Sequence, residues 1–107
     1  MQVCSGDMLL EALVACAGVT LRAVATSLEI PVRDGRIEAE GELDMRGTLG
    51  VSKEAPVGFR AIRLRFLLET DATPEQLATL LKLTERYCVV LQTLRVSPAL
   101  TATIAAA

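Results

Sequence analysis

The run MLLEALVACAGVTLRAVATSLEI, residues 8–30, decides the fold. Ser5 and Asp7 before it are N-cap types, and no proline interrupts it before Pro31, so the pattern predicts one long helix. Its first four turns are apolar almost all round and polar residues enter only later, which predicts burial on most sides of the early part. At ~1.5 Å per residue the helix is roughly 30 Å long, the width of a small domain, so it must pass through the middle. The apolar stretch 8–21 is broken by Glu11 and bounded by Asp7 and Arg22, short of the ~20 residues that a bilayer span needs. Residues 1–7 also lack the positive start of a secretory signal. A buried core helix is favoured over a membrane segment.

Outward from that helix the period changes. After Pro31 and an Asp34-Gly35 turn, residues 36–47 (RIEAEGELDMRG) place Ile37, Ala39, Gly41, Leu43 and Met45 between charged residues, the alternation of a half-buried strand. Residues 47–58 have no clean period and read as a connection. Residues 59–70 (FRAIRLRFLLET) alternate Ile62, Leu64, Phe66 and Leu68 with Arg63 and Arg65, a second strand expected to run antiparallel to the first. Thr73-Pro74-Glu75-Gln76 is a capping box with proline at the first helical position, opening an amphipathic helix to Tyr87. Residues 88–95 are short and apolar and can be read as a further helix. Residues 100–104 alternate with threonine as a closing strand. Helix, strand, strand, helix, helix, strand is an α+β order.

A chain of 107 residues and 11.4 kDa holds one domain, taken as residues 1–107. It is 51% hydrophobic and 22% charged, with mean hydropathy +0.42. That is more apolar material than a domain this size buries alone, and a homodimer is the default expectation. Histidine is absent, which excludes Ser-His-Asp and Cys-His catalysis and His-ligated zinc or haem within one chain. Lys and Arg number 11 against 13 Asp and Glu, tryptophan is absent and aromatics are 3%. Neither a phosphate-neutralising surface nor a base-stacking platform is encoded, so nucleic acid is not expected as a partner.

The cysteines are three, Cys4, Cys16 and Cys88, odd in number and without CxxC spacing. This argues against a secreted disulfide scaffold and a structural zinc site, and for reduced thiols in a cytoplasm. No metal or cofactor is expected. On the long helix the neighbours of Cys16 are Ala12, Leu13, Val19 and Thr20, none of them charged. Burial alone raises a thiol's pKa, so Cys16 is either a small core hydrophobe or a thiolate served by a positive charge from elsewhere, with arginine the obvious donor. For Cys88, the negative pole of a helix ending there disfavours a thiolate; a helix beginning there reverses the sign. Cys4 reads as a solvent-accessible bystander.

The segments GDMLLEALVACAGVTL (6–21) and LTERYCVVLQTL (83–94), with GELDMRG and GFRAIRLRF between them in that order, resemble the OsmC/Ohr family of bacterial thiol peroxidases over essentially the whole chain. The resemblance implies an intertwined α+β homodimer, its long central helix packed on an antiparallel sheet and its active site at the subunit interface. It implies Cys16 as the peroxidatic cysteine and Cys88 as the resolving one. It further implies organic hydroperoxides as substrates, an external dithiol as reductant, and an apolar pocket lined by residues such as Leu13 and Val19.

Three departures qualify the carry-over. The family's amino-terminal strands, which supply the arginine that activates the peroxidatic thiolate, have no counterpart here. Either a dimer covers the sheet edge they would pair with, or the chain is a shortened form. Gly6 stands ten residues before Cys16, where active members carry a glutamate, with Asp7 a weak replacement. Val89 stands where a proline usually follows the second cysteine. Arg60, Arg63, Arg65 and Arg86 are expected on solvated faces rather than at Cys16. The competing expectation is a fold that has lost the chemistry and serves as a dimeric scaffold or apolar-ligand module.

Overall fold

The computed structural model describes residues 5–106, the side chain of Ser5 excepted. The elements run α1 (Ser5–Ser27), β1 (Asp34–Glu42), α2 (Met45–Thr48), β2 (Ala61–Glu69), α3 (Pro74–Tyr87) and α4 (Val89–Arg95). β1 and β2 pair antiparallel in a two-stranded sheet, with Ile37 opposite Phe66, Ala39 opposite Leu64 and Gly41 opposite Ile62. The alternation sorts the two faces. Ile37, Ala39, Leu64 and Phe66 are half-buried, whereas Glu38, Glu40, Arg63 and Arg65 are exposed.

α1 packs on β1, α3 and α4 through a stripe at i, i+4 spacing: Leu13, Ala17, Leu21 and Ala25 are buried. Such a stripe lies along one side of a helix, and each fully buried leucine in it contributes about 1.5–3 kcal/mol. Gly18 lets the helix close on the sheet, since a Cβ there would stand 3.2 Å from Ile37 Cδ1. Two clusters form the core. Leu21, Ala25, Ile30 and Leu80 make one, and Leu13, Ala17 and Cys88 the other.

α1 stops through a left-handed residue. Glu29 has φ 57°, the Ile30 N–H reaches back to the Ala25 carbonyl (2.9 Å), and the Glu29 N–H donates to Thr26 O (3.1 Å). These bonds satisfy carbonyls that the last turn would leave orphaned. The capping box at α3 forms as the sequence predicts. The Gln76 N–H donates to Thr73 Oγ1 at 3.2 Å, and the Gln76 side chain accepts from the Thr73 N–H at 2.9 Å.

Three expectations need correction. The early part of α1 is buried along one stripe and not on most sides: Met8 and Val19 are exposed, because the described elements cover only one flank of the helix. The first strand ends at Glu42, and Met45 belongs to the turn of helix α2. There Asp44 caps the Arg46 N–H at 3.0 Å and binds the guanidinium at 2.7 Å, so a local cap outcompetes strand alternation. Residues 100–104 form no strand and are exposed, Ile104 fully. Alternation without a neighbouring strand to pair with does not make a ladder.

α1 is also longer than the apolar stretch suggested, and residues 6–27 are long and apolar enough to cross a bilayer. The core helix of a globular fold shares that property, and the buried stripe is the packing of such a helix.

Candidate functional site

Cys16 lies in the middle of α1, one position before the buried Ala17, and Cys88 lies at the joint of two helices. The Cys88 N–H donates to the Thr84 carbonyl (3.0 Å), ending α3, and its carbonyl accepts from the Gln92 N–H (3.0 Å), starting α4. Both sequence alternatives for Cys88 therefore hold at once: one helix ends on it and the next begins. Packing of α3 and α4 against α1 brings the sulfurs to 3.4 Å, with the Cys88 thiol donating to Cys16 Sγ. Both cysteines are reduced.

The two thiols are driven in opposite directions. The pKa of Cys16 is lowered, foremost by the backbone N–H of Val90; burial opposes this, and Cys88, the N–H of Val89 and the Thr20 hydroxyl add to it. The Val89 and Val90 amides belong to the first turn of α4, where N–H groups lack partners within the helix. Cys88 supplies no side-chain cap to them. The pKa of Cys88 is raised, foremost by burial and further by the adjacent Cys16, against amide donors from Leu91 and Val90. Cys88 is fully buried. The pair thus holds one sulfur disposed to ionise and one disposed to keep its proton.

Among the described residues no arginine is seen to act on Cys16. Amides, a thiol and a hydroxyl act on it, and no guanidinium is among them. Arg63 binds Glu40 (2.8 Å) and Glu42 (3.3 Å) on the outer face of the sheet. Arg65 is exposed opposite Glu38, Arg86 lies over the Tyr87 ring at 5.5 Å, and Arg60 lines a groove beside β2. Asp7 occupies the first turn of α1, about 14 Å along the axis from Cys16 and too far to touch its thiol. Leu13 packs against the cysteines as expected. Val19 does not; it is 73% exposed, because it stands two residues on from Ala17, roughly 200° round the helix from the buried stripe. Cys4 lies outside the described residues.

Helical spacing placed Thr20, at i+4, beside Cys16 but gave its hydroxyl no role. Val90 was missed, since its contribution is a main-chain N–H that any residue but proline supplies.

An α+β chain in which a long helix presents one thiol to a second, buried thiol is a protein organised around a reduced cysteine pair. This chain belongs to the OsmC-like protein family, whose profile matches residues 2–103. Its fold is similar to that of an OsmC-like protein from Mycoplasma pneumoniae, at a TM-score of 0.74 and 18% identity, covering 84% of this chain and 60% of that one. The chain thus spans about 60% of the length of that relative. A comparison with curated proteins finds no match.

Proposed function

We propose that the chain is a thiol-dependent peroxidase that reduces organic hydroperoxides, with Cys16 as the attacking and Cys88 as the resolving cysteine. The observation that carries this reading is the 3.4 Å approach of the two sulfurs across 72 residues of sequence. The Cys16 thiolate attacks the distal peroxide oxygen. The O–O bond breaks, the departing alkoxide takes a proton to become an alcohol, and Cys16 becomes a sulfenic acid. Cys88 then attacks that sulfur, the hydroxyl leaves as water with the Cys88 proton, and a disulfide forms. An external dithiol returns both thiols by exchange. Atoms and electrons balance: the peroxide gains two electrons from the cysteine pair, and the reductant restores them.

A homodimer completes the reading. The chain exposes 8309 Å², against roughly 5800 Å² for a compact monomer of its mass. Met8 and Val19 on the outer side of α1 are 63% and 73% exposed, and each strand of the two-stranded sheet has an unpaired edge among the described residues. A second chain covering α1 and a sheet edge would bury both liabilities.

The assay is loss of cumene hydroperoxide in the presence of dithiothreitol or a dihydrolipoyl donor, comparing the chain with Cys16→Ser. The reading requires turnover that Cys16→Ser abolishes, and equal rates would sink it. A scaffold without the chemistry is the second reading, favoured by one observation: among the described residues, the groups that lower the pKa of Cys16 are neutral. Iodoacetamide reactivity against pH separates the two, since a scaffold's Cys16 titrates no lower than a free cysteine, ~8.5.

A further inference from the structure

No proline or glycine lies between Pro74 and Pro98, so no residue of that stretch obliges a helix to break. It breaks nonetheless at Cys88, whose ψ is 109°. In a continuous helix the Val89 N–H would donate to the Glu85 carbonyl four residues back. Among the described residues neither the Val89 nor the Val90 N–H donates to a backbone carbonyl. The Glu85 carbonyl is taken instead by a side chain from beyond the break, with Gln92 Nε2 donating to it at 2.6 Å. The amide nitrogen is the only donor on that side chain.

The exchange of donors bears on both cysteines. The Val89 and Val90 amides, released from the carbonyls of α3, are among the groups that lower the Cys16 pKa. The bent α4 lays Val90 and Leu91 against Leu13, Ala17 and Cys88, and Cys88 is fully buried. A straight continuation of α3 would carry that cover away from the sulfurs. It would also recover the bond from Val89 to Glu85, so the bend persists only if something replaces that bond. Arg95 Nη2 ties α4 to the Glu85 carboxylate at 2.8 Å, but this pair is partly exposed and such pairs contribute little.

We infer that Gln92 is a positioning residue for the cysteine pair: its side chain holds the Glu85 carbonyl in place of the Val89 amide and so keeps the chain bent at Cys88, with α4 folded over the two sulfurs. Gln92 touches neither sulfur and acts through the joint. Its bond to Glu85 is partly buried, where leaving a carbonyl without a donor is costly. The inference deepens the proposed function by naming what holds its two thiols in their separate environments, and it rests on that reading only for the use made of the pair.

The test alkylates the reduced chain with iodoacetamide at neutral pH and follows Cys16 and Cys88 separately by peptide mass spectrometry, beside Gln92→Met, Val89→Pro and the double variant. Gln92→Met keeps the length of the side chain and removes its donor. Cys88 should then react about fivefold faster, the opening that one lost hydrogen bond allows, while Cys16 reacts more slowly for want of its amides. The proline of Val89→Pro has no N–H to return to Glu85 and favours the extended backbone at Cys88. Gln92→Met added to Val89→Pro should therefore leave Cys88 as protected as in Val89→Pro alone. Unchanged Cys88 reactivity in Gln92→Met overturns the inference, as does a Cys16 that reacts as fast as before or faster, the mark of general loosening. The same acceleration of Cys88 with Val89→Pro present also overturns it. Should Gln92→Met fail to fold, folding restored by Val89→Pro supports the inference and folding not restored overturns it. Alkylation needs no peroxide, so this pattern in a chain without hydroperoxide turnover would remove the proposed function and leave the role of Gln92.

Discussion

At the scale of single residues, the cysteine pair is a case of one chemistry placed in two environments. The amides of Val90 and Val89 and a neighbouring thiol lower the pKa of Cys16, while Cys88 sits where water is excluded. Alkylation of the reduced chain against pH should therefore show two steps, the Cys16 step below the ~8.5 of a free cysteine and the Cys88 step above it. Each cysteine is quantified by peptide mass spectrometry, and coincident steps would contradict the assignment. The sign for stability follows. A thiol whose pKa is depressed by folding stabilises the fold above the unfolded pKa, and this contribution is lost as pH falls through the folded value. Cys88 acts in the opposite sense, weakening the fold as pH rises past the unfolded value. Cys16 and Cys88 were both legible in the sequence from their flanking residues. Their protonation states were not, because the deciding groups are the backbone amides of Val90 and Val89, which the fold brings in from the far end of the sequence.

At the scale of elements, the joint between α3 and α4 does the positioning. Val89 stands in sequence where the family usually carries proline; in the structure its N–H is one of the groups that lower the Cys16 pKa. Val89→Pro removes that donor at a helix position proline favours. Cys88 before it has φ −76° and ψ 109°, a conformation a residue preceding proline adopts readily. The variant should fold with an unchanged circular dichroism spectrum and an alkylation step for Cys16 shifted to higher pH. An unshifted step would show that the Val89 amide plays no part. The end of α1 offers a separate test. Glu29 holds a left-handed conformation that glycine adopts without steric cost, so Glu29→Gly should raise stability in urea by roughly 0.5–1 kcal/mol. A loss would mean that the side chain contributes something its exposed position does not reveal. The helices and strands were legible where period and caps agreed, as in α3 with Thr73, Pro74 and Gln76. Residues 100–104 misled because alternation reports a residue pattern and not the presence of a partner strand.

At the scale of the whole molecule, the described chain is extended. Its radius of gyration is 17.2 Å, where a compact chain of its length would have about 13 Å. The apolar surplus seen in the composition reappears as surface, with Met8 and Val19 on the outer side of α1. Composition foretold the surplus but could not say which side of the helix would carry it, since the early turns are apolar all round. Sedimentation equilibrium should give a dimer, twice the 11.4 kDa chain, and Val19→Glu should shift it toward monomer by placing a charge in the covered face. A monomer in the unmodified chain at micromolar concentration would contradict this.

The cysteine pair's proximity is the claim on which the function rests, and it can be read in one mass spectrum. One equivalent of cumene hydroperoxide added to the reduced chain should remove two hydrogens and yield a peptide joining Cys16 to Cys88, while Cys88→Ser should stop at a sulfenic acid on Cys16 trapped by dimedone. A chain that keeps both thiols after exposure to the peroxide would contradict the mechanism.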